Sequence, residues 1–144
     1  MKTLFDTSVL IAALIESHPM HERAFPWMKK AKAKAFETVV ASHTLAELYA
    51  VLSTLPIKPR IAPGVAWRLI YENVETIGKV ISLTSAEYRA VIKQISELGL
   101  AGGIVYDALI AKVAQKANVE RLLTFNSDHF KRVWSTGENV IITP

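Results

Sequence analysis

The sequence predicts an α/β sandwich built on a mostly parallel central sheet. Three observations carry that prediction. Short β-branched or apolar runs recur along the chain, as in Phe36-Glu37-Thr38-Val39-Val40-Ala41 and Lys79-Val80-Ile81-Ser82-Leu83. Helix-patterned segments separate them, and strands that alternate with helices return to one parallel sheet through crossover connections. Strands also run straight into helix-starting polar residues, such as Asp6-Thr7 and Thr84-Ser85.

The elements follow in order. Lys2–Phe5 reads as strand one, and Thr7 to about Ile15 as an apolar helix. Pro19 interrupts the chain, and His21 to Lys34 forms an amphipathic helix that becomes lysine-rich at its end. Phe36–Ala41 is strand two. Thr44–Leu55 is a helix, apolar almost all round, that stops before Pro56. Pro56, Pro59 and Pro63 punctuate a loop, and Val65–Val74 is helical. Lys79–Leu83 is strand three. Ser85–Leu98 is a helix ended by Gly99, with Ala101-Gly102-Gly103 as the turn into a helix over Ile104–Ala117. Arg121–Thr124 is strand four, Ser127–Val133 a short helical turn, and Asn139–Ile142 a last strand. No repeat, low-complexity tract or linker divides the 144 residues, so a single domain spans 1–144.

Composition narrows the class. Half the residues are hydrophobic (51%), enough for a substantial core at this length. No apolar stretch reaches the roughly 20 residues that span a bilayer. An acid stands where a secretory signal would continue its apolar core, so neither signal peptide nor anchor is read, and a cytoplasmic location is expected. The chain has no cysteine, which removes disulfide and thiolate chemistry and fits a reducing compartment. Net charge is +4, from 17 Lys and Arg against 13 Asp and Glu. If four of those acids share one pocket, the remaining surface is distinctly basic, an arrangement suited to a polyphosphate substrate cut with metal ions.

Four acids sit at strand–helix junctions: Asp6, Glu47, Asp107 and Asp128. Each has a structural alternative. Asp6 could be an N-cap, Thr44-Leu45-Ala46-Glu47 matches a capping box as Thr84-Ser85-Ala86-Glu87 does, and Asp128 suits the positive end of a short helix. Their neighbours argue for more. Three and four residues from Glu47 stand His43, Thr44, Ala50 and Val51, with no Lys or Arg. Around Asp107 the same positions hold Gly103, Ile104, Ile110 and Ala111. At about 100° per residue, Lys112 and Lys116 project about 140–180° away from it. An acid part-buried without a partner raises its pKa and neutralises, or it acquires a metal. Several sharing one site stay ionised only if cations bind. Hard oxygen donors, no cysteine and no HExxH motif point to Mg²⁺ or Mn²⁺ over zinc.

These residues also resemble a known family. Asp6-Thr7-Ser8-Val9-Leu10-Ile11 at the start of the chain is similar to the opening of PIN domains, in particular the VapC-type toxins of type II toxin–antitoxin pairs. His18-Pro19-Met20-His21, Ser42-His43-Thr44-Leu45-Ala46-Glu47-Leu48 and Tyr106-Asp107-Ala108-Leu109-Ile110-Ala111 follow in the family's order. So does Leu122-Leu123-Thr124-Phe125-Asn126-Ser127-Asp128-His129-Phe130, and the likeness covers essentially the whole chain. The resemblance implies a three-layer α/β/α PIN-like sandwich and a Mg²⁺- or Mn²⁺-dependent ribonuclease leaving 5′-phosphate and 3′-hydroxyl ends. Asp6, Glu47 and Asp107 match the family's core acids. Many relatives carry a fourth acid where Asn126 stands, whereas here the acid is Asp128, so either residue could complete the site. Thr7 and Thr124 would be supporting hydroxyls.

The resemblance further implies an RNA substrate, a homodimer, and a small antitoxin whose C-terminal arm enters the acidic groove. Lys112, Lys116, Arg121, Lys131 and Arg132 are the candidate contacts for RNA phosphates. His18, His21, His43 and His129 lack zinc-ligand spacing and read as surface or packing residues, and Trp27, Trp67 and Trp134 as core or interface. Two other roles for the same fold are a stand-alone PIN nuclease in RNA processing and a catalytically silent PIN-like module that binds RNA or protein. A phosphoaspartyl enzyme is disfavoured, because Asp6-Thr7-Ser8 lacks a second Asp two residues on.

Overall fold

Lys2–Phe5 (β1) is the central strand of a five-stranded sheet in the computed structural model, which describes residues 1–144. It pairs with Glu37–Ala41 (β2) on one side and Arg121–Leu123 (β4) on the other. Lys79–Ile81 (β3) extends the sheet beside β2, and Ile141–Ile142 (β5) beside β4. Every pairing is parallel, so the order is β3-β2-β1-β4-β5. A parallel sheet needs cover on both faces, which explains why strand residues here are apolar in succession and not alternately. Phe5, Val40 and Leu123 face one layer, while Leu4, Val39 and Leu122 face the other.

Helices Thr7–Leu14 (α1), His21–Lys32 (α2), Ser42–Leu52 (α3) and Pro63–Ile70 (α4) supply the first layer, through Val9, Leu10, Met28, Leu48, Leu52 and Ile70. Helices Ser85–Glu97 (α5), Ile104–Lys116 (α6) and Ser127–Val133 (α7) supply the second, through Val91, Ile95, Leu109, Ile110, Val113 and Phe130. The predicted α/β/α sandwich is therefore the observed one. No helix is long and apolar enough to cross a membrane.

Several boundaries differ from the sequence expectation, each for a local reason. The α2 helix ends at Lys32 because Lys34 takes a left-handed conformation, φ 57°. The α3 helix begins at Ser42, two residues early, and is capped by no side chain. Thr44 is then inside the helix, and its hydroxyl meets Thr7 Oγ1 at 3.1 Å, so Thr44 and Glu47 do not form a capping box. The fourth helix starts with Pro63 in its first turn, where a missing N–H costs nothing, and closes in a π-helical turn over Tyr71–Glu75. Strand five shrinks to two residues. The capping box at Thr84 does form: Thr84 N–H donates to Glu87 Oε1 at 2.9 Å, and Glu87 N–H to Thr84 Oγ1 at 3.2 Å.

The chain leaves β1 toward β2 on one side, and β4 returns on the other. The sheet's order therefore switches at β1, where ligands of parallel α/β folds gather at the carboxyl ends of the strands. The candidate site residues Asp6, Glu47 and Asp107 occupy that place.

Candidate active site

Asp6 follows the last residue of β1 and is the N-cap of α1. Its Oδ1 accepts the Thr7 backbone N–H at 2.8 Å. Its Oδ2 accepts two hydroxyls, Ser8 Oγ at 2.7 Å and Thr124 Oγ1 at 2.8 Å. Those hydroxyls are themselves oriented: Ser8 Oγ accepts the Phe125 N–H at 3.2 Å, and Thr124 Oγ1 accepts the Asn126 N–H at 2.8 Å. The loop after β4 is thus tied through two hydroxyls to a single carboxylate. Asp6 is 2% exposed. Burial pushes its pKa up, and the hydrogen bonds oppose that without cancelling it.

Glu47 lies in the second turn of α3, and its Oε1 is 3.1 Å from Thr7 Oγ1. Since Thr7 meets Thr44 as well, its one proton serves the carboxylate when Thr44 donates back. His43, one turn earlier, holds Nε2 3.6 Å from the same carboxylate oxygen. Burial raises the Glu47 pKa, His43 and the Thr7 hydroxyl oppose, and the charge of Asp6 adds to the rise. Asp107 stands in the first turn of α6, with Oδ2 3.1 Å from His129 Nδ1 on α7. Its carboxyl is pushed up to about 6, first by burial and then by the charge of Asp6. His129 pulls the other way, and Glu47 adds to the rise. Carboxylates from the α1 N-cap, α3 and α6 therefore meet at the carboxyl ends of the strands, where the charge of Asp6 reaches both Glu47 and Asp107.

The remaining sequence candidates divide clearly. Thr7 and Thr124 join the site as hydroxyl donors to Glu47 and Asp6. Asp128 is exposed on the first turn of α7 and makes no side-chain hydrogen bond to the residues around the three acids. Its neighbour His129 turns toward Asp107 instead. Asn126 touches the site through its backbone N–H and not its amide. Lys116 is held by Glu87 Oε1 at 2.7 Å and Ser82 O at 3.0 Å. That contact draws the Glu87 carboxyl down to about 2. Arg121 is placed at the start of β4, the opposite edge of the sheet, where it donates to Thr3 Oγ1 and lies over the Trp27 and Phe36 rings. It braces the fold there and is not brought to the acids. Lys131 lies 3.9 Å from Glu138, Arg132 is exposed, and Lys112 is half-buried.

His43 and His129, read from sequence as surface or packing residues, stand beside Glu47 and Asp107, and Ser8 was assigned no role. A hydroxyl two residues after a capping Asp and a His one turn before a part-buried Glu were the available signals. The contact of His129 depends on how α7 packs on α6, which no local pattern discloses.

The donor set suits a hard divalent cation: three carboxylates, no thiolate, and polar capacity left unused. His43 Nε2 is buried without a hydrogen-bond partner beside Glu47. Asp6 Oδ1 accepts only one bond, although a carboxylate oxygen has room for two. As the side chains stand, no three acid or imidazole groups are close enough to chelate one ion. Binding therefore asks for rotation of Glu47 and Asp107, the two acids that are not fully buried.

Comparison with known proteins decides the family. The family model described as the PIN domain matches residues 3–134. This chain belongs to the PIN domain family. Among PIN-domain relatives, ribonuclease VapC27 of Mycobacterium tuberculosis is 35% identical over 115 residues, covering 80% of this chain and 78% of that protein. Ribonuclease VapC40 of the same organism is 32% identical over 117 residues, 81% of each. These relatives make the chain a PIN domain of the VapC type. Two solved PIN structures share the fold. VapC20 of Mycobacterium tuberculosis, described as a sarcin-ricin loop cleaving toxin, superposes with TM-score 0.70 at 16% identity over 88% of this chain and 92% of that one. VapBC2 of Rickettsia felis, bound to a DNA fragment from its promoter, gives 0.67 at 21% identity over 99% and 98%.

Proposed function

We propose that this VapC-type PIN domain is a Mg²⁺- or Mn²⁺-dependent ribonuclease and acts as the toxin of a type II toxin–antitoxin pair in the cytoplasm. The observation that carries the reading is the convergence of Asp6, Glu47 and Asp107: burial raises all three, the charge of Asp6 adds to the rise of both others, and that of Glu47 to the rise of Asp107. Such a cluster is self-repelling unless a cation joins it. Asp6, Glu47 and Asp107 would hold the ion, which supplies a water of lowered pKa and a counter-charge to the phosphodiester. The chain's own residues do the rest. Ser8, Thr124 and the Thr7 N–H hold Asp6 in one orientation. Thr7 and His43 flank Glu47, and His129 steadies Asp107. The relatives named ribonucleases, at 35% and 32% identity, support the RNA assignment.

An antitoxin partner fits a groove beside the site. The groove is about 440 Å³, mostly apolar, and runs along Ile11, Met20, Val51, Leu55 and Phe125 to Ser8 and Asn126 at the acidic end. A small protein could lay an apolar segment there and extend a cationic residue to the acids, within a homodimeric assembly. Exposed Lys131 and Arg132 are the cations left to contact RNA backbone.

The test is cleavage of total RNA by the purified chain in Mg²⁺, in Mn²⁺ and in EDTA, with product ends mapped. Expected are 5′-phosphate products with either metal, none in EDTA, and none from Asp107→Asn. Full activity of Asp107→Asn, or undiminished activity in EDTA, would reject the proposal.

A further inference from the structure

Tyr106 is an aromatic residue set beside the acids yet left in solvent. It precedes Asp107 on the first turn of α6 and is 46% exposed. One face of its ring is spent: it stacks on His43 with centroids 4.8 Å apart and planes 13° from parallel. His43 in turn touches Glu47. The stack therefore ties the two helices that carry Glu47 and Asp107, and it fixes a flat ring at the rim of the carboxylate cluster. The residue as a whole remains nearly half exposed beside the acids. The neighbouring imidazole restricts its motion, so little conformational entropy is lost when a second planar group settles on the free face.

We infer that Tyr106, backed by His43, is a stacking platform for one unpaired nucleobase next to the scissile phosphate. The inference rests on the ribonuclease reading and deepens it by naming the side chain that would position a base beside the scissile phosphate. A duplex keeps every base face covered and its backbone stiff. A strand with a free base can place that base on Tyr106 while the adjoining phosphate reaches the acids. Recognition of this kind is tolerant of sequence, because every base has a π face, and it anchors the strand without a base-edge hydrogen bond. It also fits a site whose acids would otherwise repel RNA: contact is made through an uncharged face.

The test measures binding of two probes, with calcium in place of magnesium to separate binding from cleavage. One is a random-sequence 12-nucleotide single-stranded RNA, and the other is an abasic ribose–phosphate oligomer of the same length. Stacking of one base corresponds to at least about a fivefold difference in affinity. The wild type and Tyr106→Phe should prefer the base-bearing strand by that margin, and Tyr106→Leu should lose the preference. In the cleavage assay with magnesium, Tyr106→Leu should raise KM more than it lowers kcat. Equal binding of the probes by the wild type, no binding of either, or an unchanged preference in Tyr106→Leu overturns the platform. If Tyr106→Leu alters sedimentation but not base preference, the ring serves contact between copies and the platform is again overturned. Base-dependent binding without cleavage in magnesium or manganese would overturn the ribonuclease reading alone.

Discussion

Asp6→Asn is expected to lower RNA cleavage on the order of 10³-fold or more while leaving the fold intact, since it removes a charge acting at the reacting centre and little else. Asparagine has the shape of aspartate, so its amide oxygen can still accept the Thr7 N–H in the place of Oδ1. Its NH₂ group then faces Ser8 Oγ and Thr124 Oγ1, each with a second lone pair free beside the backbone N–H it already accepts. The two hydroxyl protons lose Oδ2 as their acceptor, which is the cost of the exchange. Relief from a buried charge offsets the exchange, so stability should change by about 1 kcal/mol or less. Single-turnover cleavage and a melting curve on the same sample separate the two effects. Asp128→Asn, on an exposed residue without a hydrogen bond in the site, should leave cleavage near the wild-type level. Wild-type cleavage by Asp6→Asn would remove the basis for the site.

Without metal, the chain should lose stability as pH rises from about 5 to 7, the reverse of the usual behaviour of carboxylates. Asp107 titrates at 3.8 in a solvated chain and at about 6 in the fold, and Asp6 and Glu47 are raised in the same direction. Raised acids mean that the folded state holds more protons than the unfolded one across that interval. Their stabilising contribution is complete below the unfolded value and is lost as pH passes the folded one. Glu87 behaves oppositely, but its window lies between 4.5 and about 2, below the range in question. Melting temperatures of metal-free protein at pH 5 and pH 7 should thus fall with pH, and the fall should be smaller in Asp6→Asn. Saturating magnesium should reverse the trend, because a cation competes with the protons and stabilises the fold by about 2.7 kcal/mol at a hundredfold excess over Kd. A metal-free melting temperature that climbs from pH 5 to pH 7 would count against a shared, repelling cluster.

What the sequence discloses here follows from the range of the physics. Strand and helix identities were legible because apolar periodicity is local, and β1, α1, α6 and α7 begin where the pattern says they do. Helix ends were less so: Lys34 leaves the helix through its own backbone conformation, and α3 starts two residues early because Ser42 continues directly from β2. Asp6, Glu47 and Asp107 could be singled out because acids without sequence neighbours of opposite charge need a distant partner. Their companions were not legible in the same way. His129 reaches Asp107 only through the packing of α7 on α6, while Asp128, one residue away, is exposed. Arg121 looked near the site along the chain, yet a strand begins at one edge of the sheet and ends at the other, and Arg121 is at the beginning of β4. Sequence proximity to a strand says nothing about which edge a residue occupies until its place within the strand is known.

The central claim is that Asp6, Glu47 and Asp107 act together as one cation site. Calorimetric titration of Mn²⁺ into the metal-free protein at pH 7.5 and pH 5.5 tests it most directly, with no substrate to identify. Saturable uptake at pH 7.5, proton release on binding, weaker affinity at pH 5.5 and loss of uptake in Asp6→Asn are the predicted results. No uptake at pH 7.5, or uptake that survives Asp6→Asn unchanged, would contradict it.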